Sequence, residues 1–467
     1  MSSYAMLING QLHSGIDSFA VVNPATEAVI AECPIASVEL LEQAVNAAKI
    51  ALIDGTGTLE QRRELLRACA DKIEAYQEEL SQLLTKEQGK PISQAQNEVS
   101  WAIGLLRKQC ELDIPKKVLR DDTQAQVTVT RKPLGVVAGI TPWNFPFYIA
   151  VNKMAEAIYS GNSIIIKPSP YTPLTTLKLG ELIQDVIPAG LVNIISGDNE
   201  IGALLVKHPK ISAISFTGSV ATGKHIATAA AADLKRVVLE LGGNDAAIVL
   251  NDVDVKEVAE KIFWNAFSNC GQVCVAVKRL YVQRAIYHDV LDEMVRIAKT
   301  VKVGNGLDSE VTMGPLNNVM QYERIIELLN DAKAQGATVH CGGVAQEGLG
   351  YFFPPTIISG IEEGVRLIDE EQFGPLLPVL AFDDVNEVIQ RVNNSSMGLS
   401  AYVWSKDNDL AVQIANRLEV GIVRVNTSTT EASLTPFGGM KQSGIGREGG
   451  VWGIEAMTDA QTLSVKY

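Results

Sequence analysis

Histidine and cysteine are scarce in this chain, at five and six of 467 residues. The histidines (His13, His208, His225, His288 and His340) stand apart, and no Cys-x-x-Cys or His-x-x-x-His spacing occurs. Zinc-type metal chemistry therefore has little basis, and no metal site is expected. Six cysteines spread over Cys33, Cys69, Cys110, Cys270, Cys274 and Cys341 are too sparse for a disulfide framework and point to a reducing compartment. No apolar run approaches the roughly 18 residues that span a bilayer, and Met1-Ser-Ser-Tyr-Ala5 lacks the charged and apolar regions of a secretory signal. The expectation is a cytoplasmic protein without a membrane partner. Basic excess is missing too: 40 Lys and Arg face 54 Asp and Glu, a net charge of −14 with no basic stripe. Binding to nucleic acid is disfavoured, because affinity for phosphate backbones comes mainly from cationic side chains. Internal repeats, low-complexity tracts and Gly/Ser linkers are also absent.

What remains is the composition of a folded protein, 46% apolar and 20% charged, long enough for two to four domains. Short β-type runs alternate with helical stretches, the pattern of an α/β fold. Strands are expected at Val136–Ile140, Ser163–Lys167, Val192–Ser196, Ala213–Phe216, Val237–Leu241 and Ala246–Leu250, mostly continuous apolar runs suited to burial on both faces. Helical patterns at Pro173–Val186, Ile201–His208 and Thr222–Ala232 separate them, long enough for parallel crossovers. A second series has strands near Arg279–Val282, Leu376–Phe382, Ala401–Trp404 and Gly421–Asn426, with helices at Ala285–Lys299 and Tyr322–Gln335. Two α/β lobes are the economical reading. Ahead of them, Leu40–Gln88 and Ile92–Leu112 read as amphipathic helices broken at Gly89-Lys-Pro91. The polar, β-branched run Thr123–Arg131 suits a ribbon outside the core.

Four segments carry chemistry. Phe216-Thr-Gly-Ser-Val-Ala-Thr-Gly-Lys-His225 is a glycine-bearing turn between a strand and a helix, where free N–H groups suit a phosphate. It is neither a P-loop, since His225 replaces the Ser or Thr that would hold magnesium, nor a Gly-x-Gly-x-x-Gly fingerprint. A simple packing turn is an equal reading. Glu240 ends an apolar strand beside Gly242 and Gly243, so its carboxylate is paired, hydrated or functional; a salt bridge to Lys235 or Arg236 is the alternative. In Asn269-Cys-Gly-Gln-Val-Cys274, Cys270 reads as a packed thiol or as a partner that captures an oxidised Cys274. Cys274 follows loop-like residues that leave its thiol approachable. Asn144, between prolines at the end of a strand, presents either a rigid amide for an oxyanion or a turn-forming side chain.

With these motifs in order, the chain resembles the NAD(P)-dependent aldehyde dehydrogenase superfamily over essentially its whole length. The resemblance rests on Pro142-Trp-Asn-Phe-Pro146, Lys167-Pro-Ser169, Phe216-Thr-Gly-Ser219 with Gly223, Glu240-Leu-Gly-Gly243, Gly271-Gln-Val-Cys274, Glu371-Gln-Phe-Gly-Pro375 and Pro436-Phe-Gly-Gly439 with Lys441, Ser443 and Gly444. It implies a Rossmann-like cofactor lobe (1–118 and 136–240), an α/β catalytic lobe (241–445) and a small β-ribbon oligomerisation element (119–135 and 446–467). A homodimer or homotetramer is implied with it, through Thr123–Arg131 and Gln461–Tyr467.

The resemblance also implies roles. Cys274 is the nucleophile, Asn144 with the Cys274 N–H the oxyanion site, Glu240 the base that activates water, and Lys153 with Glu448 a proton relay. Ile140, Thr141, Trp143, Lys167, Thr217, Gly218, Ser219, Leu241, Gly242, Glu371 and Phe373 are the implied cofactor contacts. Position 170, often glutamate in NAD-preferring relatives, is Pro170, so NAD use with tolerance of NADP is expected. The arginines typical of succinate-semialdehyde dehydrogenases are replaced by Asn152 and Ser268, while Phe147, Tyr148 and Phe437 are available to line a tunnel. A neutral aliphatic or aromatic aldehyde is the leading expectation. A succinate-semialdehyde type and a CoA-acylating type are the alternatives.

Overall fold

The computed structural model describes residues 4–113, 116–429 and 435–467. Its first sheet has a parallel centre in the spatial order Val192–Ile194, Ser163–Lys167, Val136–Ile140, Ala213–Thr217 and Arg236–Glu240. The chain order reverses between Val136–Ile140 and Ala213–Thr217, a topological switch of the kind that opens a crevice beyond the strand ends. Antiparallel additions close both edges: Met6–Ile8 with Gln11–His13 on one side and Gly444–Ile445 on the other. The second sheet runs Thr338–Cys341, Thr356–Ser359, Leu376–Phe382, Arg279–Gln283, Ala246–Val249, Ser400–Trp404 and Ile422–Val425, parallel except for the first pair.

Burial explains why these runs are strands. Ser163–Lys167, Ala246–Val249 and Ser400–Trp404 are buried at every position, as helices on both faces of a parallel sheet demand. The buried apolar residues fall into two clusters, one from Met6 to Leu241 with Ile454 and Met457, the other from Ala246 to Leu418.

Where expectation and structure differ, local chemistry gives the reason. The stretch from Leu40 to Gln88 is three helices, Val38–Asp54, Leu59–Ala75 and Gln77–Gln88. Gly55 and Gly57 break the first, and Thr58 starts the second with a reciprocal capping box to Gln61. Strands Asp17–Val22 and Val29–Ile35 were not foreseen; they pair only with each other, so no sheet face demanded a continuous apolar run. The ribbon is three-stranded: Ala125–Pro133 lies between Lys117–Asp121 and Thr458–Lys466.

One buried carboxylate joins the helical layer to the first lobe. Helix Leu174–Ile183 has no capping side chain of its own. Glu87, fully buried on a neighbouring helix, accepts the N–H groups of Leu174 (2.7 Å) and Thr175 (2.9 Å) and the Thr175 hydroxyl. Burial pushes its carboxyl up to about 7. Removing the acceptor strands buried donors, a loss of about 1–3 kcal/mol. Glu87→Ala is therefore expected to lower the thermal unfolding midpoint clearly, and Glu87→Gln, which keeps an acceptor, by less. Equal midpoints for Glu87→Ala and the unsubstituted protein would refute this role.

Candidate active site

A cavity of about 1530 Å³ lies between the lobes, at the carboxyl ends of the first sheet's strands. Its floor is the loop after helix Val255–Phe267. There Asn269, Cys270 and Gly271 take three successive positive φ angles of 50°, 57° and 72°. Two of these are non-glycine residues in the left-handed region, so the turn holds only because its surroundings over-determine it. The Asn269 N–H donates to Gln94 Oε1 (3.0 Å), and Gln272 returns its N–H (3.1 Å) and Nε2 (2.8 Å) to the Asn269 carbonyl. At Gly271 a Cβ would collide with the Gly374 carbonyl. Beyond this turn, Lys278 Nζ gathers the carbonyls of Val273 (2.7 Å) and Cys274 (2.9 Å), and the Tyr402 hydroxyl donates to the Val275 carbonyl (2.5 Å).

These bonds hold Cys274 with its side chain partly open to the cavity. No acceptor among the described residues takes the Cys274 backbone N–H. Burial pushes the thiol up to about 12; Lys278 opposes this, while Asp245, Glu371 and Glu240 add to it. Asn144, 4% exposed, comes from the other lobe and donates from Nδ2 to the Gln272 carbonyl (3.0 Å), which places its amide over the nucleophile loop.

Glu240 ends strand Arg236–Glu240 and reaches the same cavity. Neither of its carboxylate oxygens has a hydrogen-bond partner among the described residues. Burial holds its carboxyl well above the usual range, with the Glu448 carboxylate adding to the rise. Lys153 Nζ lies 2.6 Å from Glu448 Oε1 and donates to Ser215 Oγ (2.8 Å), which donates to Glu448 in turn (3.0 Å). Phe437 and Glu448 exchange backbone hydrogen bonds, so both face the cavity side by side.

Eight of the implied cofactor residues form the other wall: Trp143, Thr217, Gly218, Ser219, Leu241, Gly242, Glu371 and Phe373. Ser219 caps helix Val220–Ala231, whose amino end opens on the cavity as an anion site would. Gly223 lets this helix approach Leu241, since a Cβ there would lie 2.5 Å from the leucine side chain. Thr217 Oγ1 is buried without a partner among the described residues. Glu371 is held by the Gly243 N–H (3.1 Å), and a Cβ on Gly242 would overlap its carboxylate. Trp143 and Phe373 meet edge to face at 5.3 Å. An anion-binding helix end, an apolar wall and an unpaired hydroxyl together suit a nicotinamide dinucleotide. Ile140, Thr141 and Lys167 lie outside the enclosed cavity on adjacent strand ends, with the Thr141 N–H bonded to the Lys167 carbonyl (3.2 Å). Burial lowers the Lys167 ammonium to about 8.

Phe147 requires correction as a tunnel residue. It is fully buried in the first lobe's core and absent from the cavity wall, because on helix Pro146–Tyr159 its neighbour Tyr148 takes the open side. Ser268 and Asn152 do line the cavity, but Asn152 commits its amide to Glu448 (3.2 Å) and so orients that carboxylate. Cys270, 1% exposed in the second core, fits the packed-thiol reading.

Sequence reasoning missed Lys278, Arg424, Trp101, Leu105 and Trp264, all but Lys278 on the cavity wall. Trp101, Gly104, Leu105 and Lys108 share one helix face, as do Glu257, Glu260, Lys261 and Trp264. That spacing was readable, but not distinguishable from ordinary packing.

A partly open cysteine, a nearby carboxylate and an amide from the facing lobe, all beside a dinucleotide-shaped wall, define a thiol-dependent oxidoreductase. The model of the aldehyde dehydrogenase family matches residues 12–463, and the chain belongs to that family. It is 38% identical over 485 residues to phenylacetaldehyde dehydrogenase of Pseudomonas fluorescens, covering 99% of this chain and 96% of that one. It is 35% identical over 472 residues to the NADP(+) succinate-semialdehyde dehydrogenase GabD of Escherichia coli, with 99% and 96% covered. Among solved structures, the NAD+ complex of an aldehyde dehydrogenase from Bacillus cereus superposes with a TM-score of 0.97 at 37% identity, covering 100% and 97%.

A thiol pushed up to about 12 is mostly neutral at pH 7 to 9, where its thiolate fraction grows about tenfold per pH unit. Iodoacetamide labelling of Cys274 in the cofactor-free protein is expected to accelerate by that factor across this range. A plateau below pH 8 would show that the cavity stabilises the thiolate.

Proposed function

We propose that this protein oxidises an aldehyde to its carboxylic acid with NAD, tolerating NADP, and that the aldehyde is neutral, aliphatic or aromatic. The observation that carries the reading is the convergence of Cys274, Asn144 and Glu240 on one cavity at the topological switch of the first sheet.

Cys274 loses its proton to Glu240, and the sulfur attacks the aldehyde carbon to give a thiohemiacetal. The developing oxyanion lies between the Asn144 amide and the Cys274 backbone N–H, donors already fixed by the bonds that hold the nucleophile loop. A nicotinamide held against Thr217, Gly218 and Phe373 would supply the hydride acceptor that this adduct needs to become a thioester. Glu240 gives up the thiol proton toward Glu448 before it takes a second one from water; the resulting hydroxide attacks the thioester carbon, and the C–S bond breaks to release the acid and the cysteine sulfur. Glu448, Ser215 and Lys153 form a continuous hydrogen-bonded path on which the proton moves away from the site. Glu240 argues against CoA acylation, which needs the cysteine but not this base.

Ser219 and the helix end it caps would hold the pyrophosphate, Lys167 the adenosine ribose, Glu371 the nicotinamide ribose, and Thr217, Gly218 and Phe373 the nicotinamide ring. Pro170 has no carboxylate to repel a 2′-phosphate. Trp101, Leu105, Tyr148, Ile149, Trp264 and Phe437 give the substrate end a largely apolar wall, which supports a neutral substrate. A second reading, a carboxylated semialdehyde, is favoured by the presence of Arg424 on the same wall and by the similarity to GabD. We further assign 1–118 and 136–240 to cofactor binding, 241–445 to catalysis, and 119–135 with 446–467 to assembly of a homodimer or homotetramer in the cytoplasm.

Initial rates with hexanal, benzaldehyde, lactaldehyde and succinate semialdehyde, each with NAD and NADP, test this. The largest kcat/KM is expected for hexanal or benzaldehyde with NAD, with measurable NADP turnover. A maximum for the semialdehyde favours the second reading, and no NADP turnover at millimolar concentration removes the tolerance.

Because burial raises the Glu240 carboxyl, its base form is lost as pH falls, so turnover is expected to climb with rising pH. Glu240→Gln is expected to slow steady-state turnover about 10²- to 10⁴-fold and to flatten that climb. Steady-state turnover unaffected by the substitution would remove Glu240 from the base role.

A further inference from the structure

One buried ion pair touches neither the cavity nor any reacting atom. Lys90 and Glu98 have no exposed side-chain surface, and their charged ends are 2.5 Å apart. Such a pair is a weak source of net stability, because desolvation offsets most of the attraction. Its other bonds show what it holds. Lys90 Nζ donates to the main-chain carbonyl of Asn144 (2.8 Å) and lies 3.9 Å from the centre of the Phe145 ring. Glu98 Oε1 accepts the N–H groups of Phe147 and Tyr148, each at 3.1 Å, in the first turn of helix Pro146–Tyr159, which has no side-chain cap of its own.

The pair therefore grips the Asn144 segment at two points. The Asn144 carbonyl is bound once more, by Asn269 Nδ2 of the nucleophile loop (3.0 Å). Lys90 itself sits in a segment wedged against the catalytic lobe. The N–H of Ile92 donates to the Gly306 carbonyl (2.8 Å), and a Cβ on Gly306 or Gly314 would collide with the carbonyl of Lys90 or Gly89.

We propose that Lys90 and Glu98 are positioning residues for the oxyanion site. They fix the backbone of Asn144, and with it the direction of its side-chain amide, before an aldehyde arrives. The proposal rests on Asn144 being the oxyanion donor. An ammonium on the carbonyl is a charge-assisted bond, stronger and more directional than a neutral one. A donor misplaced by a fraction of an ångström loses most where charge develops, in the transition state, and little in ground-state binding.

The test is a double-mutant cycle in the full-length enzyme with its cofactor. Lys90→Met with Glu98→Gln removes both charges together, so no ion is left buried and unpaired. Asn144→Ala alone is expected to lower kcat about 100-fold. The Lys90→Met/Glu98→Gln protein is expected to lose about tenfold or more in kcat, with both KM values within about twofold. In the Asn144→Ala background the same pair of substitutions is expected to change kcat by less than about twofold, since residues acting through one group are not additive. An equal fold-loss in both backgrounds, or no loss with Asn144 present, overturns the proposal. Asn144→Ala with unchanged kcat would instead overturn the oxyanion reading on which it stands. If circular dichroism shows that this pair of substitutions does not fold, Lys90→Gln with Glu98→Gln, which also leaves no buried ion, goes through the same cycle, judged by the same non-additivity.

Discussion

Two asparagines exchange hydrogen bonds across the seam between the lobes. Asn144 donates its amide to the Gln272 carbonyl, and Asn269 donates its own to the Asn144 carbonyl. Each carbonyl lies at a point where the chain cannot relax: one between prolines at a strand end, the other just after three left-handed residues. The strained turn survives because the opposite lobe supplies its partners, and the strand-end turn keeps its aim because the strained turn supplies one of its own. The loop that carries Cys274 and the turn that carries Asn144 are tied together by this exchange. Buried side chains act on these main-chain positions as well: Lys278 holds the Cys274 carbonyl and Lys90 the Asn144 carbonyl.

Burial then sets the protonation chemistry. Glu240, Glu156 and Glu448 share a region with one lysine, Lys153, and little access to water. Three carboxylates around one ammonium cannot all ionise at low cost. Glu156, which accepts the Gly449 N–H at 2.7 Å, is pushed up to about 8 by burial and by the Glu448 carboxylate. Glu156 therefore keeps its proton at neutral pH, where an exposed acid would have released it. A site that takes a proton from a thiol and later from water gains from a raised carboxyl, because in its ionised form it is a stronger base than an exposed one.

The parallel strands were legible because burial on both faces leaves an unmistakable apolar run; Val136–Ile140, Ser163–Lys167 and Leu376–Phe382 match the expectation residue for residue. Strands that pair at an edge or only with each other, such as Gln11–His13 and Asp17–Val22, carry no such run and were not seen. At the site, Cys274, Glu240 and Asn144 were readable as candidates, each a reactive or polar group at a turn or strand end, while their roles rest on the family resemblance. Lys278 and Lys90 were not, since a lysine whose work is to hold distant carbonyls looks like any surface charge until the fold buries it. Phe147 and Tyr148 show the limit from the other side: adjacent aromatics on a helix point to different places, and only packing decides which one meets the cavity.

The edge strand Gly444–Ile445 pairs with strand Arg236–Glu240, with Glu240 opposite Gly444, and the Leu241 N–H is satisfied by the Ser443 carbonyl. The base thus ends a strand whose outer edge is completed by residues some two hundred positions later. In chain order the whole second sheet, from Ala246 to Val425, lies between that strand and its outer neighbour. The stretch that closes the sheet also delivers Glu448 to Lys153, so a polypeptide that stops at Val425 holds Cys274 and Glu240 without that ion pair. The first core draws Ile454 and Met457 from the same late stretch, so neither that core nor the site is complete without residues that follow the whole second sheet.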